Sequence, residues 1–196
     1  MNDFIQVIDV LTPEEVSKVL SLIQHDKFHA TTIFSEAGEI VNSSIRSNSR
    51  WCLDESLEIA QIIHEGMNRG LIRYHEQLRI ANPRFDQFPI PMSSWTKCWR
   101  EVIQLLKYNE GEHYGWHYDQ AYKREDHEYF RTISIVLYLQ NAEEGGRTLF
   151  SHRGYKPKPG QALYFPSNWC YPHEAEKIYK GTKIAAVSWY YSQFES

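Results

Sequence analysis

The stretch Tyr108-Asn109-Glu110-Gly111-Glu112-His113-Tyr114-Gly115-Trp116-His117-Tyr118-Asp119 ends on an imidazole and a carboxylate two positions apart. Residues i and i+2 of an extended segment project from one face, so His117 and Asp119 can there reach a single metal ion. On a helix of about 3.6 residues per turn the pair points roughly 200° apart and cannot chelate. The spacing therefore predicts a strand or its immediate extension. The preceding residues agree, because Val102, Gln104, Leu106 and Tyr108 alternate with Ile103, Leu105 and Lys107. Two ligands leave a metal site incomplete, so a third donor is expected from elsewhere in the chain.

The whole chain sets bounds on that site. At 196 residues it reads as a single domain, 1–196, with one substantial core. Its 14 % aromatic content favours pleated, β-rich packing. A formal net charge of −4 speaks against a general binder of nucleic acid or anionic membranes. Three widely spaced cysteines, Cys52, Cys98 and Cys170, form no disulfide framework and suit a reducing compartment. The first residues lack the pattern of a signal peptide, and no apolar run reaches the roughly 18 residues of a membrane span. A cytoplasmic location is the expectation.

Residues 1–96 read as helical support, with the polar stretch 31–50 the candidate for a substrate lid, and 97–191 as a strand-rich core. Phe4–Ile8 alternates as a short strand. Thr12 is an expected N-cap, with Pro13 in the first turn and Glu15 closing a capping box. Val16, Val19, Leu20 and Ile23 then form one apolar stripe. Residues 28–34 read as a strand, and 39–50 as a polar return strand or loop. A second helix is expected from near Asp54, carrying Ile59, Ile62, Ile63 and Met67, with Gly66 or Gly70 weakening or ending it and residues 71–80 open to continuing it. Residues 81–95 hold three prolines and read as a loop. Further strands are expected over 99–108, 131–139, 147–151, 161–165 and 183–191. Helices followed by a run of short strands point to a sheet sandwich or barrel with helices on one side.

Among nine histidines, His173 stands out, after Pro172 and a turn-rich stretch, with Lys183 ten residues on. Two histidines and a carboxylate on one face of a metal make the facial triad of non-haem Fe(II) oxygenases. The His-x-Asp spacing disfavours the helical His-x-x-x-His form common in zinc hydrolases. At these residues the chain resembles the Fe(II)/2-oxoglutarate-dependent dioxygenases, and within them the prolyl 4-hydroxylase-like group. The matching features stand in order: Tyr108-x-x-Gly111-x-x-Tyr114-x-x-His117-x-Asp119, then Arg131 through Leu139, Gly145-Gly146-Arg147-Thr148-Leu149-Phe150, Pro159 through Phe165, and His173 with Lys183 and Trp189. They cover about half the chain.

That resemblance implies an α+β fold, a double-stranded β-helix (jelly roll) with the N-terminal helices packed on one face of the sheet. It implies Fe(II) held by His117, Asp119 and His173, with 2-oxoglutarate and O2 as cosubstrates and ascorbate as a candidate reductant. The far carboxylate of 2-oxoglutarate would meet Lys183, because a buried carboxylate without a cation is prohibitively costly. Tyr138 matches a family tyrosine that helps hold the same carboxylate. Tyr108 shares the parity of Leu106, and packing and cosubstrate binding are both open to it. Parity supports the scheme on the last strand, where Lys183, Ala185, Val187 and Trp189 share a face.

Peptide hydroxylases of this group use three further residues, and Tyr114, Arg131 and Trp189 occupy those places. A proline-containing peptide or protein is therefore the expected partner, with hydroxylation coupled to conversion of 2-oxoglutarate to succinate and CO2. A free amino acid or other small molecule is the alternative substrate, and a non-catalytic metal-binding jelly roll the alternative from another class. One tension is explicit: Arg131 and Tyr138 are seven apart and face opposite ways on a regular strand, so sharing a site requires a bulge or a late strand start. Arg147 departs from the acidic residue usual after the Gly pair. Oligomeric state is left open.

Overall fold

A computed structural model of the chain describes residues 4–35, 38–40, 42–84, 96–120 and 130–194. The N-terminal half carries β1 (Gln6–Asp9), α1 (Pro13–Ser21), β2 (His29–Ala30), β3 (Ile33–Ser35), β4 (Gly38–Ile40), β5 (Ser49–Cys52) and α2 (Glu58–Ala81). Then come β6 (Thr96–Arg100), β7 (Gln104–Tyr108), β8 (Tyr114–His117), β9 (Phe130–Gln140) and β10 (Glu144–Gly145). The chain ends with β11 (Thr148–Phe150), β12 (Arg153–Tyr155), β13 (Gln161–Pro166), β14 (His173–Ala175), β15 (Ile178–Lys180) and β16 (Lys183–Phe194).

Among the described residues the main sheet runs β1-β13-β9-β16-β7-β5-β2, with β6 continuing beside β16, and a smaller sheet runs β12-β11-β14-β8. Every strand pair in both is antiparallel. Alternation sorts β9 into two faces. Ile133, Ile135, Leu137 and Leu139 pack with Val16 and Val19 of α1 and with Ile59, Ile63, Met67 and Tyr74 of α2. Tyr138, on the opposite face, packs with Phe150 and Tyr155 of the smaller sheet. The helices therefore cover one side of the main sheet, and the space between the two sheets is left for a site.

α1 begins as its sequence dictates. Thr12 Oγ1 accepts the Glu15 N–H at 3.2 Å, and the Glu15 carboxylate accepts the Thr12 N–H at 2.8 Å. α2 differs from expectation at its start. Asp54 Oδ1 instead accepts the N–H and hydroxyl of Ser56, a local turn that delays the helix to Glu58. Of the two courses open beyond the glycines it takes the longer, running unbroken through Gly66 and Gly70 to Ala81. These glycines serve close approach: a Cβ on Gly70 would lie 2.1 Å from Tyr164 Oη and 2.5 Å from Val10 Cγ1. Packing against the sheet outweighs the roughly 1 kcal/mol helix cost of each glycine.

Two strand boundaries also need correction. The expected strand over 28–34 is two strands with different partners, β2 on β5 and β3 on β4. The expected strand over 99–108 is broken between Arg100 and Gln104, because β16 pairs Tyr190 with Arg100 but Val187 with Gln104, and four steps on one strand face three on the other. The loop read over 81–95 lies largely outside the described residues. Among the described residues, no helix is long and apolar enough to cross a membrane.

Candidate active site

His117 ends β8 and His173 opens β14, and the two are opposite one another across that strand pair. Asp119 follows two residues after His117. One ligand atom from each of the three lies within 4.8 Å of the others. His117 Nε2 is 3.6 Å from Asp119 Oδ1, and His173 Nε2 is 3.7 Å from Asp119 Oδ2. Each imidazole turns its other nitrogen to a backbone carbonyl: His117 Nδ1 to Gly115 O at 2.8 Å, and His173 Nδ1 to Tyr171 O at 3.2 Å. A carbonyl oxygen only accepts, so both Nδ1 atoms carry the proton and both Nε2 lone pairs face inward.

Electrostatics favour the ligating forms. Burial, and then repulsion from His173, push the His117 pKa down to about 4, so the ring is neutral near pH 7. Burial pushes Asp119 upward, but the facing His173 and His117 and hydrogen bonds with Ser134 and Trp189 overcome it and hold the acid below its usual range. Two imidazole nitrogens and one carboxylate oxygen are a donor set that fits a divalent first-row metal such as Fe(II). Tyr114 lies flat on His117, ring centroids 3.7 Å apart, and restricts that ring further.

A cavity of about 470 Å³ opens on these three residues and is also lined by Tyr108, Tyr114, Arg131, Thr148, Lys183 and Trp189. Lys183 is 2 % exposed, and its Nζ donates to Gly146 O at 2.8 Å. Gly145 and Gly146 have φ of 79° and 73°, left-handed values that favour glycine, and the second of them delivers the carbonyl that holds the ammonium. Ala185, Val187 and Trp189 line the same cavity, as their parity predicts. Tyr108 is opposite Lys183 in the sheet, nearly fully buried among Leu106 and Val187, and burial pushes its phenol up to about 12. Tyr138 sits under Lys183, whose Nζ is 4.5 Å from its ring centre. Its hydroxyl is 2.6 Å from Thr148 Oγ1, so Thr148, which sequence reasoning did not single out, stands between Tyr138 and the cavity.

The tension between Arg131 and Tyr138 resolves through a bulge. On β16, Tyr190 pairs with Ile133 and Tyr191 with Arg131, so Thr132 is the extra residue and the parity of β9 changes there. Thr132 accordingly drops out of the inner row with Ser134, Val136 and Tyr138. Arg131 reaches the cavity with its guanidinium 3.8 Å over the Trp189 ring and donates to the Asp119 carbonyl at 3.2 Å. Glu101, another residue that sequence reasoning passed over, accepts two bonds of 2.7 Å from Arg131. Tyr191 donates its hydroxyl to the same carboxylate. Glu101 is free to do this because the main-sheet strand breaks at that point. Residues 31–50, expected as a lid, supply Thr32, Ile45, Arg46 and Arg50 to the cavity wall. Arg147 is turned to Glu176 at 2.6 Å and does not line the cavity.

Comparison with known proteins agrees with this geometry. Residues 103–191 match the family model described as the 2OG-Fe(II) oxygenase superfamily. A PKHD-type hydroxylase of Synechococcus sp. (strain JA-2-3B'a(2-13)) is 27 % identical over 191 residues, covering 92 % of this chain and 75 % of its own. A viral collagen prolyl hydroxylase from Paramecium Bursaria Chlorella virus-1, solved with 2OG, superposes with a TM-score of 0.66 at 18 % identity and 97 % coverage of both chains. A prolyl hydroxylase from Trichoplax adhaerens, solved with a hypoxia inducible factor peptide fragment, gives a TM-score of 0.66 at 19 % identity, covering 97 % of this chain and 84 % of its own. The sheet-rich fold with few helices is shared with those structures, the converging His-Asp-His set is present, and residues 103–191, the strand-rich part of the chain that holds this set, are what matches the 2OG-Fe(II) oxygenase superfamily.

Proposed function

We propose that the protein hydroxylates a prolyl residue in a peptide or protein, with 2-oxoglutarate converted to succinate and CO2. His117, Asp119 and His173 would hold Fe(II), and the two facing sheets are read as a double-stranded β-helix that brings β8 and β14 together for that purpose. Fe(II) bound there supplies the coupled oxidation of 2-oxoglutarate and of an unactivated C–H bond. Everything else falls to side chains. Lys183 fixes the far carboxylate of 2-oxoglutarate at the closed end of the cavity, with Tyr138 and Thr148 as its polar backing. Tyr108 packs beside it as the apolar wall and is kept in its neutral form. Tyr114, Arg131 and Trp189 bound the space next to the metal set and orient the residue to be hydroxylated.

The observation that carries this reading is the arrangement of Arg131 over Trp189, with Tyr114 stacked on His117, in one cavity with Lys183. The Trp189 indole and the Tyr114 phenol line the cavity beside the metal set as a rigid aromatic boundary suited to a small apolar ring, and the PKHD-type and prolyl hydroxylase relatives support a prolyl ring as its occupant. The test is mass spectrometry of proline-containing peptides and free amino acids incubated with the protein, Fe(II) and 2-oxoglutarate. A gain of one oxygen on proline within a peptide is expected. Oxygen gained only on other residues, or only on free amino acids, refutes the prolyl-peptide assignment.

A further inference from the structure

The cavity holds more positive charge than the proposed reaction uses. Among the described residues, four cationic side chains line it: Arg46, Arg50, Arg131 and Lys183. Arg131 is neutralised by Glu101. In the reading above, which this inference rests on, Lys183 is neutralised by the far carboxylate of 2-oxoglutarate, and the near carboxylate and Asp119 offset the divalent metal. Arg46 and Arg50 remain. Among the described residues no carboxylate comes within ion-pairing distance of either. The partners of Arg46 are neutral: its Nε donates to Asn48 Oδ1 at 2.8 Å, and its guanidinium lies 4.3 Å over the Tyr114 ring.

Arg50 is placed by the sheet itself. It pairs with Leu106 on β7, Leu106 with Ala185 on β16, and Ala185 with Tyr138 on β9, one cross-strand row running over the cavity floor. The row two residues away carries Lys183 and Tyr108. Strand neighbours in a row point to one face, so Arg50 shares the cavity face with the cosubstrate lysine. A cavity that closes on a neutral substrate would strip water from two guanidiniums and return nothing for it, whereas a carboxylate restores charge-assisted hydrogen bonds.

We infer that the substrate presents a carboxylate close to the hydroxylated residue, and that Arg50, with Arg46 on the same wall, receives it. Arg50 is a specificity residue for the substrate and has no part in holding the cosubstrate. The chemistry is met by an Asp or Glu side chain flanking the target proline, or by the α-carboxylate of a proline at or near a peptide C-terminus.

The experiment compares proline peptides identical except for Asp or Glu against Asn or Gln on either flank, each with a free or an amidated C-terminus. Two readouts are taken: kcat/KM by mass spectrometry, and Kd by tryptophan fluorescence on the anaerobic protein loaded with Fe(II) and 2-oxoglutarate, where no turnover occurs. The carboxylate-bearing peptides should bind about tenfold or more tightly than their neutral partners, as a charge-assisted bond to arginine implies. Arg50→Gln should erase that preference while Arg50→Lys keeps most of it, with melting temperatures showing that both variants fold. A preference that follows the flanking side chain assigns the anion to Asp or Glu; one that vanishes on amidation assigns it to the α-carboxylate; either supports the inference. Equal Kd and kcat/KM for acidic and neutral peptides, or a preference unchanged in Arg50→Gln, overturns it and leaves prolyl hydroxylation standing. Failure to oxidise any proline peptide overturns the prolyl reading instead, and the anaerobic titration still decides this one.

Discussion

Replacing Lys183 with Met is the most informative single change, because the structure sets both its size and its pH dependence. The ammonium is surrounded by protein, and burial moves its pKa from 10.5 to about 7 in the absence of an anion. At about 1.4 kcal/mol per pKa unit, the site works against the charged form by roughly 5 kcal/mol. A dicarboxylate arriving beside it removes that opposition and returns the lysine to its protonated form. Binding of 2-oxoglutarate above pH 7 must therefore take up a proton, and affinity must fall with rising pH as the neutral amine becomes the resting form. From half protonated at pH 7 to about one part in a hundred at pH 9, the loss is on the order of 50-fold. Linkage gives the matching statement for stability. Between about pH 7 and the ordinary lysine value the unfolded chain binds more protons at this position than the folded one, so Lys183 opposes folding below pH 7 and that opposition is relieved as pH rises. Calorimetric titration of the anaerobic Fe(II) protein with 2-oxoglutarate, in buffers of different ionisation enthalpy, reads both affinity and proton uptake. Lys183→Met should bind weakly and show no pH slope from this group. A wild-type affinity that is flat from pH 7 to 9, or a slope that survives in the variant, would refute the assignment of Lys183 to the cosubstrate.

Three other outcomes follow from particular contacts. Gly70→Ala should destabilise the protein by about 1–3 kcal/mol, measured by thermal melting, because the new Cβ meets Tyr164 Oη and Val10 Cγ1; a rise in melting temperature would show that helix propensity decides at this position. Glu101→Gln should lower peptide kcat/KM by about ten- to a hundred-fold while leaving the Kd for 2-oxoglutarate within about twofold, since the carboxylate holds Arg131 and does not touch the Lys183 end; equal losses in both would place Glu101 in the cosubstrate site. Thr12→Ala should cost about 1 kcal/mol in a thermal unfolding curve followed by circular dichroism, with activity per folded molecule unchanged, because it removes one half of the capping box.

The metal set was legible in the sequence because its two parts rest on rules that survive folding. His-x-Asp requires an extended backbone, and the unit falls where β8 ends at His117 and the chain runs on to Asp119. The face shared by Lys183, Ala185, Val187 and Trp189 held because β16 is the regular ruler of the main sheet, and its irregularities fall on its partners. The extra residues are Thr132 and Leu139 on β9, and one in the break between β6 and β7. Parity read along those partners fails where the register shifts, and no residue type marks the place. Thr132 is an ordinary strand residue, and Glu101 looks like the solvated end of one. The run through Gly66 and Gly70 was left open for a related reason: a glycine that ends a helix and a glycine that lets a helix sit against a tyrosine look alike until the partner is in view.

The two irregular places nearest Trp189 belong together. One neighbour of β16 breaks opposite Ser188 and Trp189, and the other bulges opposite Tyr190 and Tyr191. The first frees Glu101 to turn in, and the second rotates Arg131 towards it, so that a bidentate pair closes over the indole from the two sides of a single strand. A regular sheet would put neither side chain there, and either irregularity alone would bury one unpaired charge beside the metal set, at a cost of several kcal/mol. Arg131, its charge met by Glu101, is a poor receiver for a further anion and a good rigid surface for an apolar ring. The wall formed by Arg46 and Arg50 has no such internal partner among the described residues. In the proposed reaction each cation then has a separate role, with Lys183 assigned to the cosubstrate, Arg131 holding the indole and the Asp119 backbone in place, and Arg50 assigned to whatever negative charge the substrate brings.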